Sequence, residues 1–282
     1  MSQMNSVRFT DDPRSLLRAN LDELEQRINR ACMRARRRRS EVRVLPVSKT
    51  VPAAIIRIAS ELGLCEFGEN KVQEAESKVR DLADLSLNWS VIGHLQTNKV
   101  KSMVKFANEF HALDSLRLAE ALQARLSAEG RHLDVFVQVN TSGEVSKYGL
   151  PPHEVEDFVL RLSDYPALVP RGLMTLAVLS GEADKVRECF KLLRGLRDAL
   201  RDRTSTRLDL LSMGMTSDFE IAIEEGADVI RVGQAIFGPR PTKDGQYWPG
   251  LPLPTSARPR DLPRVLFRPS PANSRVKSPH QC

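Results

Sequence analysis

Val42-Arg43-Val44-Leu45-Pro46-Val47-Ser48-Lys49-Thr50 is the stretch that decides the fold. A short apolar, strand-like run over 42–47 gives way to the polar turn Ser48-Lys49-Thr50. A helical pattern then runs over 52–62, opening on Pro52, which a first helical turn tolerates, and stopping at Gly63, where helices end. Strand, polar turn and helix make one unit.

Working outward, the unit recurs. Further strand candidates are 65–67, 89–92, 109–112, 134–139, 168–173, 207–211 and 229–232. Helical patterns lie between them at 71–82, 98–105, 115–128, 152–162, 182–201 and 217–225. Ahead of the first unit, Leu17, Leu21, Leu24, Ile28 and Ala31 recur at helical spacing, so an amphipathic helix is expected from residue 15 to about 38. Eight strands alternating with helices give an α/β chain and predict a single (β/α)8 barrel of the TIM type. A doubly wound open sheet uses the same alternation, but no G-x-G-x-x-G follows the first strand to favour a dinucleotide fold. Three regions result: a basic amphipathic helix over 1–40 packed on the barrel, the barrel over 41–240, and an extended or disordered tail over 241–282 that holds nine of the seventeen prolines.

The composition, 41% hydrophobic and 28% charged over 282 residues, is that of a soluble globular chain. No apolar run reaches the length of a membrane-spanning helix, and the N-terminus shows no apolar signal segment, so a cytoplasmic protein is expected. The four cysteines show no C-x-x-C spacing and read as free thiols of a reducing compartment. The five histidines stand singly, so no metal site is expected. The net charge of +6 divides into +5 for 1–40, +5 for 241–282 and −4 for 41–240. A barrel that is itself mildly acidic argues against nucleic acid as a partner, because such binding needs a basic face on the folded domain. The Arg34–Arg39 run reads as either a phosphate contact or the solvated end of a helix.

In a barrel of this type the working residues follow the strands, on the face formed by their C-terminal ends. Polar residues and glycines collect there: Ser48-Lys49-Thr50, Gly68-Glu69-Asn70, residues 93–99 (Gly-His-Leu-Gln-Thr-Asn-Lys), Asp114, Asn140-Thr141-Ser142, Met174-Thr175, residues 212–218 (Ser-Met-Gly-Met-Thr-Ser-Asp) and Gly233-Gln234. Lys49, with apolar residues behind it, is poorly solvated, which disfavours the ammonium form; a neutral amine can attack an aldehyde. Loops seven and eight are the usual phosphate position of such barrels, and glycines beside a helix start let backbone N–H groups approach an anion. The alternative is that Ser212 and Ser217 cap a helix. A ligand bridging the two ends needs an aldehyde and a phosphate: pyridoxal 5′-phosphate fits, and so does a sugar phosphate of a Schiff-base aldolase. Arg231, near the end of the eighth strand, donates only, so facing the pyridine nitrogen it would keep that nitrogen unprotonated and the ring a weak electron sink. Its alternative is an ion pair with an acid such as Asp228.

Val47-Ser-Lys-Thr50, Phe67-Gly-Glu-Asn70 with Val72-Gln-Glu74, residues 92–99 (Ile-Gly-His-Leu-Gln-Thr-Asn-Lys), Ser146-Lys-Tyr-Gly149, Gly172-Leu-Met-Thr175, residues 211–215 (Leu-Ser-Met-Gly-Met) and residues 231–238 (Arg-Val-Gly-Gln-Ala-Ile-Phe-Gly) together resemble the pyridoxal phosphate homeostasis proteins, in order from about residue 40 to 240. The resemblance implies a single alanine-racemase-type barrel carrying the cofactor on Lys49, with Asn70, Ser212, Gly214, Arg231 and Gly233 lining the site. Strand-end position adds Met174, Met215, Thr216 and Gln234 to that set. It implies a carrier or regulator of the vitamer, without robust turnover and with no catalytic residue of its own. Apo forms of pyridoxal phosphate-dependent enzymes are the expected recipients, and a monomer the expected state. The alternative is an amino-acid racemase of the same barrel type. That reading expects a second, β-rich domain, for which the roughly forty Pro-rich residues after Gly238 are too few. Gln234 stands where the family more usually has a small Ser or Thr, and Trp89 is followed by Ser90 where it often has His.

Overall fold

The computed structural model describes residues 12–239, apart from Ser205 and Arg207; the expected tail over 241–282 lies outside the described residues. Eight parallel strands form one sheet: β1 Arg43–Pro46, β2 Glu66–Glu69, β3 Asn88–Val91, β4 Ala107–Leu113, β5 Leu133–Gln138, β6 Leu168–Met174, β7 Leu210–Ser212 and β8 Val229–Val232. They pair in the order β1-β8-β7-β6-β5-β4-β3-β2. Just past β1, Val47 bridges in parallel to Gly68 of β2, and the Ser48 N–H donates to the Gly68 carbonyl at 3.0 Å. The ends of the sheet therefore meet, and the chain is the (β/α)8 barrel that its alternation predicts.

The outer helices are α1 Pro13–Arg34, α2 Ala53–Glu61, α3 Val72–Asp81, α4 Val100–Met103, α5 Leu116–Ala128, α6 Val155–Arg161, α7 Ala183–Arg203, α8 Phe219–Glu224 and the single turn α9 Gln234–Phe237. The segment expected as a helix over 98–105 is a 3-10 turn, Thr97–Lys99, followed by the short α4. β7 is displaced from the expected 207–211 to Leu210–Ser212 and shares one register pair with β8, Ser212 with Val229.

Helix α1 starts where Asp12 caps it, accepting from the Ser15 N–H at 3.1 Å, with Pro13 in the first turn. It buries Leu17, Leu24 and Ile28 against α8 and α9, which contributes about 1.5–3 kcal/mol per side chain. It ends earlier than its apolar spacing suggests, since Arg36 adopts a left-handed φ of 53° and turns the chain away. Three of the arginines at and beyond its end are paired within the fold. Arg34 pairs with Glu224 at 2.7 Å and Arg39 with Glu25 at 2.8 Å. Arg37 donates to the Ile223 and Ala227 carbonyls and faces Asp228 at 3.4 Å. The basic segment thus fastens the start of the chain to its last β/α unit. Cys32 and Cys189 are buried free thiols, so the reading of free cysteines holds for those two, and Cys282 lies outside the described residues. No described helix is long and apolar enough to cross a membrane.

The barrel interior is polar along one line. Arg43 of β1 donates both terminal nitrogens to Glu109 of β4, at 2.8 and 2.7 Å. β1 and β4 are not neighbours in the sheet, so this pair spans the interior. Glu109 also accepts from Ser90 Oγ at 3.0 Å and meets His111 Nε2 at 3.0 Å. His111 Nδ1 lies 2.9 Å from Ser212 Oγ on β7, again across the barrel.

Candidate functional site

The strand ends bring most of the expected residues to one mouth. Lys49 follows β1 in a tight turn: the Val51 N–H donates to the Ser48 carbonyl at 2.9 Å, and Thr50 is held at a φ of 65°. A cluster that is buried at Ser48, Glu69 and Lys78 and more open at Thr50 and Glu74 holds both neighbours of Lys49. Ser48 Oγ donates to Glu69 at 2.7 Å and the Thr50 N–H to Glu74 at 2.5 Å. Lys78, itself buried, donates to Glu69 and Glu74 at 2.6 Å each and to the Ser48 carbonyl at 2.7 Å. Burial pushes the Glu69 carboxyl above its ordinary range, and the Lys78 ammonium opposes that shift. Asn70, next to Glu69, is half-buried at the same mouth.

Across β1 stands β8, in register Leu45 with Arg231 and Pro46 with Val232. The guanidinium of Arg231 is buried and donates to Ser212 Oγ at 2.8 Å and to the Thr175 carbonyl at 2.7 Å. Those bonds use two of its five N–H donors. Asp228 is not its partner: that carboxylate faces Arg37 and Arg197 and accepts from the Leu211 N–H. Burial lowers the Arg231 pKa to about 10, with Asp218 opposing, so it stays protonated at neutral pH. Since Arg231 donates to Ser212 Oγ, the hydroxyl proton is available to His111 Nδ1, which leaves Nε2–H to donate to Glu109. Burial lowers the His111 pKa, consistent with this neutral form. At Glu109 burial acts upward, but His111 and Arg43 together outweigh it and hold the carboxyl well below the carboxylate range.

The loop after β7 folds back on itself. Asp218, which is the residue preceding α8, accepts from the Met215 N–H at 2.6 Å. Ser212 does not cap that helix; its hydroxyl is committed to Arg231 and His111. Gly214 has a φ of 92°, and a Cβ there would lie 2.6 Å from Ala222 Cβ, so only glycine fits. Thr216 Oγ1 accepts from the Ala235 N–H at 3.4 Å, tying loops seven and eight together. A Cβ on Gly233 would lie 2.9 Å from the Val47 carbonyl, so loop eight is pressed onto the strand that delivers Lys49. Gln234 opens α9, and Met174 is buried at the end of β6, beside Thr175. Seven of the ten expected residues thus follow strand ends, while Met174 and Ser212 are the last residues of β6 and β7 and Arg231 stands one before the end of β8.

Sequence reasoning passed over the residues behind that mouth: Lys78, Glu109, His111 and Arg43. One signal was present. Glu109 and His111 stand two apart on one strand, hence on one face, and a charged pair on a buried strand needs partners across the barrel.

With this geometry in hand, comparison with known proteins is direct. The model of the alanine racemase N-terminal domain family matches residues 19–241. The pyridoxal phosphate homeostasis protein of Aquifex aeolicus is 40% identical over 220 residues, which is 78% of this chain and 96% of the relative. That of Pseudomonas aeruginosa is 40% identical over 226 residues, 80% of this chain and 96% of the relative. The chain belongs to the pyridoxal phosphate homeostasis protein family. Among solved structures, PipY of Synechococcus elongatus with PLP bound superposes with a TM-score of 0.68 at 36% identity, over 76% of this chain and 99% of PipY. An alanine racemase of Clostridium difficile superposes with a TM-score of 0.64 at 14% identity, over 82% of this chain and 58% of the racemase, a likeness of fold alone.

Proposed function

We propose that this homeostasis-family protein binds pyridoxal 5′-phosphate as a Schiff base on Lys49 and serves in the cell as its carrier or regulator, without robust turnover of its own. The observation that carries the reading is the contact of Gly233 with Val47: the glycine loop and the Lys49 turn are packed together, so one small ligand can meet both. The residues present suit that ligand. Gly214 and Gly233, packed against α8 and against Val47, draw loops seven and eight together where backbone N–H groups can meet a phosphate, with Met215, Thr216 and Gln234 alongside. Met174 and Asn70 serve as walls. Arg231, fixed by Ser212 and Thr175, supplies a donor that never accepts, as an unprotonated ring nitrogen requires. When bound, the cofactor supplies a reactive aldehyde and, with its nitrogen unprotonated, only weak stabilisation of a carbanion. The role of this chain's residues is then to hold the aldehyde carbon at Lys49 and the phosphate at the glycine loops.

PipY, whose structure is described with PLP bound, supports the same reading, because this chain matches it over nearly its whole length. The racemase likeness, at 14% identity, adds nothing on chemistry. Apo enzymes that need the cofactor are the proposed recipients, a monomer the proposed state and the cytoplasm the proposed location. The test is spectroscopic. The purified protein, or the protein given pyridoxal phosphate, should show a visible absorption band that Lys49→Ala lacks. A colourless protein that takes up no cofactor overturns the reading, and racemase turnover at the rate of a dedicated enzyme overturns the carrier role.

A further inference from the structure

A cavity opens on the same face, to one side of the glycine loops. Its volume is about 280 Å³ and it is walled by the loops after β2, β3 and β5. Asn70, Lys71, Gln73, Gln96, Lys99 and Tyr148 supply its polar groups, and no carboxylate lines it. His94 and Tyr148 stack there at 3.9 Å between ring centroids and 9° between planes, building one rigid wall from two loops. Asp114 approaches His94 Nδ1 at 3.8 Å from outside the lining. Lys71 and Lys99 enter no ion pair among the described residues, and of the lysines without one they are the two that line the cavity, Lys101 and Lys105 lying outside it.

The geometry points to a binding site for a small anion, a metabolite bearing carboxylate or phosphate groups, held by the Lys71 and Lys99 ammoniums and the amides of Gln73 and Gln96. Its volume lies just below the range of ligand pockets, roughly 300–1,000 Å³, which suits a small occupant. The barrel as a whole is mildly acidic, so this basic rim is a local feature and not spillover from a basic surface. Asn70 lines this cavity and also belongs to the proposed cofactor mouth. An anion bound here therefore sits next to the cofactor and is positioned to report the level of an acidic metabolite to it.

Isothermal titration of the full chain tests this, with inorganic phosphate and succinate as separate probes, on protein loaded with pyridoxal phosphate and on unloaded protein. At low ionic strength at least one probe should bind saturably to both forms. The Lys71→Gln, Lys99→Gln double variant should weaken it at least tenfold, while Lys185→Gln, Lys191→Gln on α7 should leave it unchanged. Phosphate binding without succinate binding assigns the phosphate class, the reverse assigns the carboxylate class, and both together assign any small anion of that size. Binding of neither probe, or equal binding by wild type and the Lys71, Lys99 double variant, overturns the site. The visible band of the same samples separates the two readings: a normal band with no anion binding counts against this cavity alone, and anion binding with no band counts against the cofactor reading alone.

Discussion

Lys78 Nζ lies 2.7 Å from the carbonyl oxygen of Ser48, the residue before Lys49. One buried ammonium therefore fixes the turn from which another lysine projects. Lys78→Met would strand the Glu69 carboxylate in the interior, and breaking a buried pair this way costs about 3–5 kcal/mol. Urea unfolding should show that loss, and Lys78→Arg should recover part of it. A loss below about 1 kcal/mol, the range of exposed pairs, would show that the cluster does not hold the turn.

Glu109 links stability to pH. Its pKa is lowered on folding, so its ionisation stabilises the fold above the ordinary glutamate value and that contribution is lost as pH falls through and below it. His111 acts in the same direction: its pKa is lowered as well, so the unfolded chain takes up a proton first as pH falls. Wild type should lose stability steeply below about pH 5, as paired carboxylates do. Glu109→Gln should be less stable at neutral pH and show a flatter acid limb. A Glu109→Gln curve parallel to that of wild type from pH 7 to 3 would contradict the pairing.

Gly233→Ala and Gly214→Ala separate site from scaffold. The first presses a methyl onto the Val47 carbonyl beside Lys49, the second into α8 at a φ that alanine resists. Gly214→Ala should lower stability by about 1–3 kcal/mol, the range for a strained left-handed position. Gly233→Ala should impair cofactor uptake more than folding, seen as a weaker visible band at equal thermal midpoint. Equal band intensity in Gly233→Ala and wild type would remove loop eight from the site.

Arg231→Gln should leave the barrel folded and weaken retention of pyridoxal phosphate about tenfold, the value of one hydrogen bond from a charged donor. Equilibrium dialysis against graded cofactor measures this. Unchanged retention would mean that the guanidinium serves only Ser212 and Thr175.

The alternation of strand and helix was legible because each unit carries its own punctuation, as Pro52 and Gly63 do around α2. The candidate mouth was legible too, because position after a strand is a one-dimensional property. The polar axis was not. Arg43, Glu109, His111 and Ser212 come from three strands far apart in the chain, and only closure of the barrel makes them neighbours. Arg37 was opaque for the same reason: its partners, the Ile223 and Ala227 carbonyls and Asp228, belong to the far end of the fold, so the run read as either a phosphate contact or the solvated end of a helix. Lys78 lies in the helical pattern over 71–82, and nothing in that pattern tells that α3 brings it under the Lys49 turn.

Reduction with borohydride of the protein loaded with pyridoxal phosphate, followed by peptide mass spectrometry, tests the central claim most directly. The account predicts one pyridoxyl group, on the peptide carrying Lys49. A fixed group on any other lysine with Lys49 unmodified, or no fixed group at all, would contradict it.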